Sequence, residues 1–196
     1  MRMMRSKILW SALVACATLL GSALPSHADE KTAFELIKLG NDYVGKDSKD
    51  KVVQIRSEKS IASTTPTIWY VVYYDADATF KATEVKFGAG KKMKVSRPMR
   101  ILETVGDSDH VFKLADLKVD SDKAIKTAKA EELLKPLDIR ATQLWLQHSA
   151  DGPVWKVKLW AAKLRSPMNN ADIGDVFISA KDGKVVKSDL RINRVD

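Results

Sequence analysis

The sequence predicts an α+β protein: two repeats, each a helix packed on an antiparallel β-meander sheet, after an N-terminal signal peptide. Three observations carry this. Helical hydrophobic spacing occurs twice, at 32–45 and 121–135. Each stretch is followed by segments rich in β-branched and aromatic residues, broken by Gly and Asp turns. Landmarks also recur. Trp69 in Thr67-Ile68-Trp69-Tyr70-Val71 matches Trp155 in Pro153-Val154-Trp155-Lys156-Val157. Glu84-Val85-Lys86-Phe87 ahead of Gly90-Lys91 matches Asp175-Val176-Phe177-Ile178 ahead of Gly183-Lys184. The expected organisation is a leader at 1–28, a diverged first repeat at 29–106 and a second repeat at 107–196.

Arg2, Arg5 and Lys7 form a positive n-region, residues 8–24 an apolar run, and Pro25-Ser26-His27-Ala28 a small-residue cleavage site. Cleavage is expected after Ala28, which makes the mature protein periplasmic or secreted. The alternatives are a retained anchor, for which the run is short and carries Gly21 and Pro25, and lipidation at Cys16. Leu13-Val14-Ala15-Cys16 resembles a lipobox, but the apolar run continues past it through Leu19, Leu20 and Leu24. Cys16 is the only cysteine, so the mature chain is expected to lack disulfides and thiolate sites. The remaining 168 or so residues are long enough to build an ordinary hydrophobic core.

The formal charge is +8. Without Arg2, Arg5 and Lys7 it becomes +5, with 30 basic residues against 25 acidic. The charges are interspersed, and no basic run is long enough to track a phosphate backbone. Nucleic acid is therefore not an expected partner, nor is the protein expected to be integral to the membrane after cleavage.

In order along the chain, 32–45 reads as a helix with Thr32 and Glu35 at capping-box spacing and Gly45 to close it. Strands follow at 51–56, 69–74, 80–87 and 92–96. Ser60 to Pro66 is a loop, and Asp75-Ala76-Asp77-Ala78 and Gly88-Ala89-Gly90-Lys91 are turns. Residues 98–118 form a connector with room for one strand, containing Ile101-Leu102 and Val111-Phe112-Lys113-Leu114, with the repeat boundary near Gly106. The second helix, 121–135, carries Ala124, Ile125, Ala128 and Leu133 at helical spacing, and Pro136 stops it. Strands are expected at 139–148, 154–164, 174–180 and 184–191. The last pair is joined by Asp182-Gly183, a turn expected to need positive φ at both residues.

The C-terminal half resembles the PepSY family. The residues that carry this are Val119-Asp120-Ser121-Asp122-Lys123-Ala124-Ile125, Val154-Trp155-Lys156-Val157, and Val176-Phe177-Ile178-Ser179-Ala180-Lys181-Asp182-Gly183-Lys184-Val185-Val186. Ser179 departs from the pattern, where aspartate is common. The resemblance implies an extracytoplasmic α+β unit, some members of which accompany secreted peptidases, where an inhibitory or chaperone-like role has been proposed. Tandem units are similar to the β-lactamase-inhibitory protein fold, which grips its target with a concave sheet. The family's motif residues are structural, so no catalytic residue is implied.

Side-chain alternation names one surface. If Trp155, Val157 and Leu159 face the core, Lys156, Lys158 and Trp160 face away. With Leu144 and Leu146 inward, Gln143, Trp145 and Gln147 face outward, and matching Trp69 to Trp155 places Tyr70, Val72 and Tyr74 outward. Tyr70, Tyr74, Trp145, Lys156, Lys158 and Trp160 are thus the candidate partner-binding residues. The alternative is that these rings pack the repeats together, cover a connector or form a homodimer. Asp107-Ser108-Asp109-His110, with His148 the other mature histidine, matches no metal loop, and Asn169, Asn170, Asp172 and Asp175 read as a polar hairpin loop. No metal or cofactor is expected. Gly-x-Ser-x-Gly, His-Glu-x-x-His and phosphate-loop motifs are absent, and Asp75 with Asp77 falls in a turn where carboxylates are normally solvated. The expectation is a non-enzymatic module that binds a protein of the envelope, as inhibitor or modulator of a peptidase or other enzyme. The alternatives are a self-associating structural factor and a binder of small ligands or envelope polymer.

Overall fold

The computed structural model describes residues 30–97 and 110–196. The leader, its cleavage after Ala28, Cys16, Ile101-Leu102, the boundary near Gly106 and Asp107-Ser108-Asp109 lie outside the described residues.

Helix α1 (Ala33–Gly40) starts on the expected capping box: the Glu35 N–H donates to the Thr32 hydroxyl, and the Thr32 N–H donates to the Glu35 carboxylate at 2.8 Å. It stops at Gly40 and tightens into a 3₁₀ turn at Asn41–Tyr43 instead of running to 45. Tyr73 dictates this end. Its hydroxyl donates to the Ile37 carbonyl at 2.8 Å, and a Cβ at Gly40 would sit 2.0 Å from the Tyr73 hydroxyl oxygen. Burial pushes the Tyr73 hydroxyl well above the ordinary tyrosine range, so it remains a donor.

Helix α2 (Ser121–Lys129) ends six residues before its predicted limit. The chain turns at Ala130 into a 3₁₀ segment, Glu132–Leu134. That turn rotates the apolar phase, so Leu134 is buried and Leu133 is 54% exposed. The N-termini of the two helices are tied together. The Asp120 carboxylate accepts from the Ser121 N–H at 2.6 Å and the Phe34 N–H at 3.1 Å, while Ser121 Oγ accepts from the Ala33 N–H at 3.0 Å. The first N–H donors of α1, at Ala33, Phe34 and Glu35, and the first donor of α2, at Ser121, are thereby satisfied.

The strands are β1 (Val52–Ser57), β2 (Ile68–Tyr74), β3 (Ala82–Gly88), β4 (Lys91–Ser96), β5 (Ile139–Ser149), β6 (Gly152–Ala162), β7 (Asn170–Ser179) and β8 (Val185–Leu190). They form one eight-stranded antiparallel sheet in the order β4-β3-β2-β1-β5-β6-β7-β8. This corrects the expected α+β architecture of two repeats, each a helix on its own meander. The described residues are mostly a single sheet with two short α-helices. The overturning contact is β1 against β5, with Ile55 opposite Leu146 and Arg56 opposite Trp145. Two separate meanders would each leave an inner edge of unpaired N–H and C=O groups; pairing β1 with β5 removes both.

The core is continuous across that seam. One buried cluster runs from Ala33 and Leu36 through Val71, Tyr73 and Phe87 to Leu144, Trp155, Ile178 and Val195. Phe34 of α1 stacks on Trp155 of β6 with centroids 6.2 Å apart. Trp69 and Trp155 both point into this core, donating their indole N–H to the carbonyls of Pro66 (2.9 Å) and Val119 (2.7 Å).

Smaller corrections follow from turn chemistry. Residues 170–172, expected in a loop, begin β7. In the turn of the last hairpin only Gly183 (φ 78°) has positive φ. The Gly183 N–H donates to the Ser179 carbonyl, and the N–H groups of Lys181 and Asp182 donate to Ser179 Oγ. Ser179 thus caps a longer loop, in place of a two-residue turn with both positions left-handed. Among the described residues the connector carries no strand: Phe112 and Leu117 anchor it in the core around a 3₁₀ turn at Leu114–Asp116.

Candidate functional site

The helices cover one face of the sheet, and register aligns a transverse row of side chains on the other. Lys94 (β4) lies opposite Lys86 (β3), Lys86 opposite Tyr70 (β2), and Tyr70 opposite Arg56 (β1). Arg56 lies opposite Trp145 (β5), Trp145 opposite Lys156 (β6), Lys156 opposite Phe177 (β7), and Phe177 opposite Lys187 (β8). From Lys86 to Lys187, cation and ring alternate across seven strands.

The cations lie against the rings. Arg56 sits 3.9 Å and Lys86 5.0 Å from the Tyr70 centroid. Lys156 lies 5.7 Å from Trp145 and 5.9 Å from Phe177, and Lys187 lies 5.7 Å from Phe177. Each such contact is worth about 0.5–1 kcal/mol where water reaches it. Carboxylates tether the cations from the flanks: Glu84 holds Arg56 at 2.6 Å, Glu58 holds Lys86 at 3.0 Å and Asp175 holds Lys156 at 3.3 Å. The rings are half-buried, held upright between flexible stems whose freedom is already restricted.

A second cluster adjoins the row. Lys158 pairs with Asp172 at 2.8 Å and lies 5.5 Å from the Trp160 ring, which Lys59 covers at 4.5 Å from the loop after β1. Beside it is a recess of about 430 Å³ lined in part by Lys59, Ile61, Ala62 and Arg140.

Of the residues named from sequence, Tyr70, Trp145, Lys156, Lys158 and Trp160 lie together on this face. Tyr74 does not join them. It packs with Val53, Val72, Ala82 and Val111 in a separate apolar cluster, where the connector crosses the end of β2. Val72, expected outward and accessible, is fully buried there. Sequence reading missed Arg56, Lys86, Phe177, Lys187 and Lys59. Phe177 was within reach, because Val176 and Ile178 alternate with it as core residues. Arg56 and Lys86 become neighbours of the rings only through strand pairing: β1 with β2 and β5 sets Arg56 between Tyr70 and Trp145, and β2 with β3 sets Lys86 beside Tyr70.

The other candidates have structural partners. Asp75 is buried, not solvated: it accepts from Thr83 Oγ1 at 2.6 Å and the Asp77 N–H at 3.1 Å and pairs with Arg97 at 3.3 Å. His148 stacks on Phe112 at 4.1 Å, with Nε2 2.8 Å from the His110 carbonyl. Among the described residues no group of three or more His, Cys, Asp or Glu could hold a metal ion. Asp172 accepts from the Gly174 N–H at 3.0 Å, while Asp175 stands in a strand beneath Lys156.

These contacts give the fold a defined acid limit. Hydrogen bonds from the Tyr70 hydroxyl and from Lys86 hold Glu58 below the usual carboxylate range. Burial opposes ionisation of Asp75 and Asp172, but donors outweigh it and lower both: Thr83, Asp77 and Arg97 for the first, Lys158 and Gly174 for the second. Carboxyls lowered in the folded state stabilise it above the unfolded value of about 4 and lose that contribution as pH falls through the folded values. Asp120 runs the other way, because burial raises it despite its hydrogen bonds. The expected outcome is a urea midpoint that declines steadily below about pH 4. An Asp75→Asn variant should lose part of that dependence. An unchanged slope would show that Asp75 does not contribute.

Among the described residues no helix is long and apolar enough to cross a membrane. Comparison of the chain with family models, curated proteins and solved structures finds no match.

Proposed function

We propose that this is an extracytoplasmic, non-enzymatic module that holds a protein partner against the open face of its sheet. The observation that carries this reading is the row of alternating rings and cations from Lys86 to Lys187. Aromatic and arginine side chains dominate binding energy at protein interfaces, and a surface already ordered loses little entropy on docking. The flanking carboxylates favour a protein over a polyanion. They neutralise Arg56, Lys86 and Lys156, whereas a phosphate-tracking surface leaves its cations uncompensated. The leader-like N-terminus and the resemblance to the PepSY family favour an envelope peptidase or related enzyme as the partner.

The test immobilises residues 29–196 and a Trp145→Ala, Trp160→Ala double variant, each verified as folded, and exposes both to envelope extract. The expected result is a specific protein retained by the parent and weakened at least about tenfold by the variant. Equal retention by both would move the site off this face.

A further inference from the structure

The outer edge of β8 ends the sheet, and no strand among the described residues pairs with it. Backbone parity fixes which groups it presents. The Ala180 N–H donates to the Pro153 carbonyl, so even-numbered residues of β7 bond to β6 and odd-numbered ones bond to β8. The bonds from Ser179 N–H to Lys184 O and from Arg191 N–H to Ile173 O agree. Lys187 and Asp189 therefore direct their N–H and C=O groups to Phe177 and Asp175. Ser188 and Leu190 direct theirs outward.

We propose that a second copy of this chain pairs antiparallel with that edge, about a two-fold axis through Ser188. From Lys187 to Leu190 only alternate residues present outward groups, so such an axis must pass through a residue. Through Lys187 it would oppose lysine to lysine. Through Asp189 it would oppose aspartate to aspartate, and Lys187 to Arg191. Through Ser188 it sets Lys187 opposite Asp189 of the second copy, twice, within the regular part of β8 that follows the bulge at Val186. The same register relieves a conflict within the chain. Asp189 lies directly opposite Asp175, whose Oδ1 is buried without a hydrogen-bond partner, and the second copy brings a lysine beside Asp189. The opposite edge is unsuited to self-pairing, since β4 presents Lys91, Lys92 and Lys94, all exposed. The dimer would join two sheets into sixteen strands and double the row of rings and cations.

A single strand pair is a small interface, so the dimer should dissociate in the micromolar range. Residues 29–196 would be sized by sedimentation from about 1 to about 500 µM, which brackets that affinity. The expected result is a monomer–dimer equilibrium. Lys187→Asp or Asp189→Lys alone should raise Kd about tenfold, and the two together should restore it to within about threefold. Ser188→Cys should form a disulfide-linked dimer on air oxidation, because Cα atoms across the axis would lie about 5.5 Å apart. A monomer throughout, a dimer indifferent to the charge reversals, or an open-ended series of oligomers from β8 on β4 would each overturn the proposal.

Discussion

Trp155→Ala is expected to destabilise the protein by about 4 kcal/mol, the largest effect of any single truncation at this core. The indole is fully buried and lies opposite Ile178 and Leu146, while its N–H is bound to the Val119 carbonyl. Alanine leaves a large cavity that neighbours on three sides cannot collapse into. It also strands a buried carbonyl at the entry to α2, which adds about 1–3 kcal/mol of desolvation if water cannot reach it. Phe34 loses its stacking partner, so α1 should loosen together with α2. Urea unfolding would measure this. A loss under about 1.5 kcal/mol would mean that Trp155 is not a keystone shared by both helices.

Gly174→Ala should cost about 3 kcal/mol, with the damage concentrated at β8. Gly174 has φ 106°, and a Cβ there would stand 2.1 Å from the backbone carbonyl oxygen of Asp189. That clash is with backbone, so no side chain can swing aside to relieve it. The matched control is Gly183→Ala. Its φ is 78°, but the nearest atom to a Cβ is Val119 Cγ2 at an ordinary 3.4 Å. Only conformational strain remains, and about 1 kcal/mol is expected. Amide exchange should show β8 opening in the first variant and not in the second. Equal costs would mean that the approach of β8 to Gly174 is not as tight as described.

Local signals were legible in the sequence. The capping box at Thr32 and Glu35 formed because both partners lie within one turn. The alternation of Trp155, Val157 and Leu159 with Lys156, Lys158 and Trp160 translated directly into faces, since a strand's side-chain period leaves no freedom. The helix ends were less legible. The spacing at Leu133 continued the stripe of α2, but Leu134 won the core once the chain tightened after Ala130. The pairing of β1 with β5 was not legible at all. It joins Arg56 to a strand 89 positions later, and no local pattern encodes which edge meets which. That seam converts two expected repeats into one sheet and brings Tyr70 and Arg56 into line with Trp145 and Lys156.

The open-face row depends on that seam more than on any other contact, and NMR tests it directly. Glu58 N–H bonds to the Ile68 carbonyl, which turns the backbone groups of Arg56 toward β2 and makes Arg56 and Trp145 a non-hydrogen-bonded pair. Their Cα atoms should therefore lie about 4.5 Å apart. The measurement is the Hα–Hα nuclear Overhauser effect between Arg56 and Trp145 in residues 29–196. A strong cross-peak is the predicted result. Its absence, with Tyr70–Lys86 and Trp145–Lys156 proximities intact, would contradict the single sheet and break the row in two.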